Sequence, residues 1–136
     1  MKVLFVCVAN VGRSQMAEAF FNNLSKKNKA TSAGTKGEKY EGRELKEFAQ
    51  PVLACMTDTG IDISKKTPRK LTKQMVDDAD KIVVMADKGT WPNFLKDSKK
   101  VEVWDVDDAQ GKSHEFHLKT RDQIKKLVQG LVKRIG

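Results

Sequence analysis

Cys7 and Arg13 stand six residues apart in the octet Cys7-Val8-Ala9-Asn10-Val11-Gly12-Arg13-Ser14 and together supply a nucleophile and an anion clamp. A thiolate attacks an electrophilic centre, and a guanidinium grips two oxygens of an oxyanion in a fork that lysine does not reproduce. The octet follows the apolar run Val3-Leu4-Phe5-Val6, which reads as a buried strand. It precedes a segment in which Met16, Phe20 and Leu24 recur every four residues, the spacing of one helical face. The cysteine and arginine thus bracket a strand-to-helix turn, where free backbone N–H groups and the helix dipole favour anions. The same dipole and the nearby arginine favour Cys7 as a thiolate nucleophile. These residues by themselves describe an oxyanion site with a covalent catalyst in its floor.

The elements that must position this turn can be read along the chain. The periodicity predicts a helix over residues 14–26, then a short strand over 30–33 that ends at Gly34, then a charged loop over 35–42. Leu45, Phe48, Val52, Cys55 and Met56 fall on one helical face, which Pro51 either kinks or restarts as a first helical residue. Gly60 suits a C-cap, Ile61-Asp62-Ile63 a short extended segment, and Thr72 the cap of a brief helix reaching Ala79. Residues 81–85 form a β-branched buried strand, 89–95 a loop or single helical turn, 101–104 a further strand and 105–111 an acidic loop. From Ser113 a long helix is expected, with Phe116, Thr120, Ile124, Leu127, Leu131 and Ile135 as its stripe and Val128 and Val132 widening it. Strands alternating with helices predict an α/β fold: a three-layer sandwich, with a four-stranded parallel sheet and helices on both faces. Ligands of such folds bind at the carboxyl edge of the sheet, where Cys7 and the 105–108 aspartates would both lie.

The bulk numbers narrow the class. A chain of 136 residues fits one domain over 1–136, and no apolar run approaches the length of a membrane span. Its N-terminus lacks the pattern of a signal peptide, and two cysteines make no disulfide framework, so a cytoplasmic protein is expected. The net charge of +8 raises nucleic acid as a partner. The lysines are scattered, however, with no aromatic-interleaved basic stripe, so a solvated surface that draws in anionic substrates is the better reading. His114 and His117 have no further ligand types nearby and read as exposed or helix-start histidines; no metal and no cofactor is expected. Cys55 reads as core packing.

The octet resembles the phosphate-binding loop of low-molecular-weight protein tyrosine phosphatases, whose fold thioredoxin-coupled arsenate reductases share. Gln15-Met16-Ala17-Glu18, Ser32-Ala33-Gly34, Gly60-Ile61-Asp62-Ile63-Ser64 and the segment from Trp104 to Gly111 continue the resemblance in order along nearly the whole chain. The resemblance implies that Cys7 attacks phosphorus and forms a cysteinyl-phosphate, and that Arg13 holds equatorial oxygens. It also implies that residues Val8, Ala9, Asn10, Val11, Gly12, Arg13 and Ser14 bind the substrate, chiefly through a nest of backbone N–H groups. Asn10 would hold the loop in shape, Ser14 would donate to the sulfur, and Asp108 would be the general acid.

The chain also departs from that pattern. Ala109 stands where the family places a proline after the acid, which leaves Asp105 and Asp107 as competitors for Asp108. The sequence after the acid, Ala109-Gln110-Gly111-Lys112, lacks the tyrosines that stack on an aryl phosphate. Gly12 replaces a frequent cysteine, and Val84-Met85-Ala86-Asp87-Lys88 holds no resolving thiol. A phosphate monoester hydrolase is therefore expected, acting on a phosphate-containing substrate, with a phosphoprotein as one candidate. A single-cysteine arsenate reductase served by an external thiol is the alternative, and a non-catalytic oxyanion- or phosphoprotein-binding module the third reading.

Overall fold

The computed structural model describes all 136 residues. Four strands, β1 (Lys2–Cys7), β2 (Lys29–Gly34), β3 (Lys81–Val84) and β4 (Val101–Val103), pair in parallel in the order β2-β1-β3-β4. Five helices accompany them: α1 (Arg13–Leu24), α2 (Gln50–Met56), α3 (Lys73–Asp78), α4 (Asn93–Lys96) and α5 (His114–Ile135). The expected α/β architecture is the observed one. Strand β1 is central, and the chain switches sides of it between β2 and β3, the kind of point where open sheets bind ligands.

Alternation along β1 builds two cores. Val3, Phe5 and Cys7 point to the face packed with α1, α2 and α5, while Leu4 and Val6 join Val76, Ile82, Val84 and Leu95 on the other. Both faces are covered, which explains why β1 reads as an unbroken apolar run rather than an alternating one. Phe5 anchors the larger core, with Phe21 edge-on at 5.9 Å and Trp104 tilted at 5.7 Å. No helix is long and apolar enough to cross a membrane.

Several boundaries differ from the sequence expectation. Helix α1 stops at Leu24 rather than residue 26 because Ser25 turns extended, accepting from Asn28 N–H at 3.1 Å and donating to the Gly136 carbonyl at 3.0 Å. The apolar face around Pro51 is two pieces. Leu45–Glu47 is a 3-10 turn closed by a reciprocal Glu44–Glu47 cap, and α2 starts afresh with Pro51 in its first turn, one residue in from Gln50. Strands β3 and β4 each end one residue early. Gly60 does cap a turn in the left-handed region (φ 76°), and Thr72 and Ser113 accept from Met75 N–H and Phe116 N–H as N-caps.

The stripe of α5 is rotated relative to the expectation. His117, Thr120, Ile124, Val128 and Leu131 are buried, whereas Phe116, Leu127 and Ile135 lie on its shoulders. His117 stands four residues into the helix, as a helix-start histidine would, but is buried rather than exposed, which corrects that half of the expectation. The helix packs against both α1 and α2, and their joint surface claims the 117–120–124–128 line. His114 is exposed.

Candidate active site: the turn after the first strand

Register places Cys7 opposite Gly34 at the carboxyl edge of the sheet, and the chain then turns through residues 8–12 into α1. The turn is braced by β2 and the residues after it. Thr35 N–H donates to the Cys7 carbonyl at 2.9 Å and Lys36 N–H to the Val8 carbonyl at 2.8 Å. A Cβ on Gly34 would lie 2.4 Å from the Val8 carbonyl oxygen, so only glycine permits this approach.

Asn10 is the pin of the turn. It occupies the left-handed region at φ 59°, unusual for a residue other than glycine, and is fully buried. Its Oδ1 accepts from Arg69 N–H at 2.9 Å, which fixes the orientation of the amide. Its Nδ2 donates to Ser14 Oγ at 2.6 Å and to Ser32 Oγ at 3.0 Å. Ser32 donates on to Glu18 Oε1 at 2.9 Å, and Lys66 pairs with the other carboxylate oxygen. Gln15 Nε2 donates to the Asn10 and Thr67 carbonyls, both at 3.1 Å.

In front of this network Cys7 Sγ lies 3.0 Å from Ser14 Oγ. The first turn of α1 carries no acidic residue and no side-chain cap, so its N–H groups remain available to an anion. Arg13 is 9% exposed, and its Nη1 donates to the Met85 carbonyl at 2.6 Å and the Val106 carbonyl at 2.9 Å. Those two anchors come from the end of β3 and from the acidic loop, so the guanidinium ties three segments together at the sheet edge.

A cavity of about 190 Å³ opens here, with Cys7, Ala9, Val11, Gly12 and Arg13 in its floor and Asp108 at its side. Of the residues expected to bind substrate, Asn10 and Ser14 stand behind the turn rather than in the cavity. The Val8 side chain packs into the core on the opposite face of the sheet. Asp108 is exposed, lines the cavity and accepts from Gln110 N–H at 3.0 Å through Oδ1, while Asp105 and Asp107 do not line it. Ala109 is buried and its carbonyl accepts from Lys112 N–H at 3.0 Å, so a local turn holds the loop where a proline is missing.

The walls were largely hidden in the sequence. Tyr40 and Phe48 stack at 4.3 Å with their planes 14° apart, and both line the cavity, joined by Val52 of α2 and by His117 and Thr120 of α5. Nothing in the sequence pattern pairs Tyr40, in the 35–42 loop, with Phe48, which falls on an apolar helical face. Cys55 is fully buried outside the cavity beside Met16, with its thiol donated to the Val52 carbonyl at 3.1 Å. Burial pushes that thiol up from its ordinary value, against the pull of Arg121. One thiol faces the cavity and the other serves the core.

The family model described as low molecular weight phosphotyrosine protein phosphatase matches residues 2–136. The glutaredoxin arsenate reductase of Synechocystis sp. is 32% identical over 136 residues, covering 99% of this chain and 98% of that protein. The low molecular weight protein-tyrosine-phosphatase YfkJ of Bacillus subtilis is 37% identical over 91 residues, 62% of this chain and 56% of its own. Among solved structures, a low molecular weight protein tyrosine phosphatase from T. tengcongensis matches with a TM-score of 0.84 at 28% identity, over 99% of both chains. An arsenate reductase in the phosphate binding state matches at 0.82 and 31%, over 99% of this chain and 98% of that one.

Proposed function

The chain belongs to the low molecular weight phosphotyrosine protein phosphatase family, and from that premise we propose that it hydrolyses phosphate monoesters through a cysteinyl-phosphate on Cys7. The phosphoryl group sits on the turn, its oxygens held by backbone N–H groups and by the free face of the Arg13 guanidinium. Cys7 sulfur attacks phosphorus in line as the ester oxygen leaves, and Asp108, at the side of the cavity, gives that oxygen a proton. Water then attacks phosphorus while Asp108 takes its proton back, and the departing thiolate is received by the Ser14 hydroxyl at 3.0 Å. The Tyr40–Phe48 stack supplies an aromatic wall for an aryl leaving group, a role the residues after Asp108 do not fill.

The observation that carries this reading is the single thiol in the cavity. Cys7 shares it with Arg13 and Asp108, while Cys55, the other cysteine of the chain, lies in the core. A relay between two cysteines of the protein therefore has no second member at the site.

A second reading is favoured by the full-length likeness to the Synechocystis glutaredoxin arsenate reductase. There Cys7 would form a thiol–arsenate adduct with loss of water. Two equivalents of an external thiol would supply two electrons, the first releasing arsenite with a mixed disulfide on Cys7 and the second regenerating the thiol.

Side-by-side turnover of para-nitrophenyl phosphate, and of arsenate with glutathione and glutaredoxin, separates the two. The expected result is hydrolysis by the wild type and none by Cys7→Ser. Arsenate turnover without hydrolysis would replace the first reading by the second. Phosphate protection of Cys7 from alkylation with neither activity would leave an oxyanion- or phosphoprotein-binding module.

A further inference from the structure

The cavity above Cys7 has Arg13 in its floor, and its walls set Asp108, Gln110, Thr120 and His117 among apolar side chains. His117 lies in the second turn of α5, is 5% exposed, and contributes to the wall beside the 108–111 loop. Its Nε2 is buried and has no hydrogen-bond partner in the protein. The neighbouring wall residue on the same helix, Thr120, is already satisfied, since its hydroxyl donates to the Phe116 carbonyl at 3.0 Å. In the floor, Arg13 is anchored to two carbonyls, and behind it Ser14 and Asn10 are engaged with each other. Of the side chains that line the cavity, His117 alone keeps a buried polar atom without a partner.

A buried, unpartnered nitrogen is a standing cost in the free protein, and a ligand that answers it recovers that cost. We propose that His117 is a specificity-determining residue, whose neutral imidazole hydrogen-bonds a hydroxyl carried by the leaving group of the substrate. This rests on the phosphate monoesterase reading of the site. The phosphoryl oxygens belong to the turn and Arg13, and the ester oxygen to Asp108. The part of the substrate that extends past Asp108 along the wall is therefore the leaving group.

The charge state and the geometry agree on the partner. Burial holds the imidazole below its ordinary value, with the nearby His114 adding to the effect and Asp108 opposing it. In the free protein Nε2 exposes no surface to the cavity. The bound state is therefore one in which a half-turn about the last torsion exchanges the ring edges and turns a nitrogen, as N–H or lone pair, to the hydroxyl. A hydroxyl both donates and accepts, so it satisfies either tautomer. With the Tyr40–Phe48 stack also lining the site, the favoured leaving group has an apolar face and a hydroxylated edge.

Titration calorimetry with benzylphosphonate and its three ring-hydroxylated isomers tests this without turnover. On the wild type, one isomer is expected to bind about 3- to 10-fold more tightly than the parent, the worth of one neutral hydrogen bond. That advantage disappears in His117→Phe and His117→Met and survives in part in His117→Gln, whose amide still hydrogen-bonds. Inorganic phosphate binds all four proteins within about twofold, since the phosphate-binding turn is untouched. The proposal is overturned if no isomer outbinds the parent on the wild type, or if the advantage persists in His117→Met. Phosphonate discrimination without any hydrolysis would instead sink the phosphatase reading and with it the leaving-group role, leaving His117 only a contact to the hydroxyl of a bound oxyanion ligand.

Discussion

Ser14 Oγ lies 3.0 Å from the sulfur of Cys7, and once that sulfur is a thiolate only the serine hydroxyl can donate across the contact. At the far end of the network the Glu18 carboxylate only accepts, so the Ser32 hydrogen goes to Oε1. Asn10 Nδ2 has two hydrogens, and both are used, one on Ser32 Oγ and one on Ser14 Oγ. The amide cannot be turned over, since Asn10 Oδ1 already accepts from Arg69 N–H. Ser14 Oγ therefore receives a hydrogen bond from Asn10 and keeps its own hydrogen for a Cys7 thiolate, which can only accept.

On this basis Ser14→Ala slows both steps that carry negative charge on sulfur. A hydrogen bond to a charged group gives an expected loss of about 10- to 100-fold in kcat. Alkylation of Cys7 by iodoacetamide at neutral pH should slow as well. Unchanged alkylation with unchanged kcat would mean the hydroxyl is a bystander.

Asp108→Asn removes the proton donor and leaves the floor of the cavity intact. Hydrolysis of phenyl phosphate, whose leaving group needs the proton, should fall by about 10²–10⁴, while para-nitrophenyl phosphate loses less. Asp105→Asn and Asp107→Asn, whose side chains lie outside the cavity, should turn over both esters at close to wild-type rates. A large effect at either would move the acid.

Gly34→Ala drives a methyl group against the Val8 carbonyl oxygen and the backbone of Ala9, neither of which is free to shift without deforming the turn. A stability loss of about 1–3 kcal/mol is expected in urea unfolding, together with weaker phosphate binding. At Gly12 the nearest neighbour of such a methyl is Val52 Cγ2 at 3.7 Å, an ordinary contact. Gly12→Ala should therefore change stability by no more than about 0.5 kcal/mol.

Glu102 ties the start of β3 to the end of α5, accepting from Trp104 Nε1 at 2.6 Å and Arg134 Nη2 at 2.9 Å, with Lys81 2.9 Å from its other oxygen. Burial works against its charge, but the hydrogen bonds from Arg134, Lys81 and Trp104 outweigh it and hold the carboxyl at about 2, below its ordinary 4.5. A folded value below the unfolded one stabilises the fold above pH 4.5, and the contribution is lost as pH falls from 4.5 towards 2. Solvent screening of this partly exposed group limits it to about 1–2 kcal/mol. Glu102→Gln should flatten the stability-versus-pH curve across that window, and a curve unchanged in shape would show that the cluster contributes nothing.

The sequence by itself determined the octet, the strand before it, the caps Thr72 and Ser113 and the alternation of strands with helices. Each of these depends on neighbours within a few residues, where spacing and side-chain type are sufficient. The pairing of Cys7 with Arg13 was legible for the same reason. Tertiary structure alone decided what surrounds them. Arg13 finds its carbonyl anchors 72 and 93 residues away, Tyr40 stacks on Phe48 across the start of another helix, and Asp108 rather than Asp105 or Asp107 reaches the cavity. His117 shows the limit most plainly. The apolar pattern of α5 placed Phe116 on the inner face, but packing against both α1 and α2 turned the helix so that the histidine went inward. A helix's own periodicity defines a stripe only to within the width of one side chain, and the shape of what it packs against selects the line that is buried.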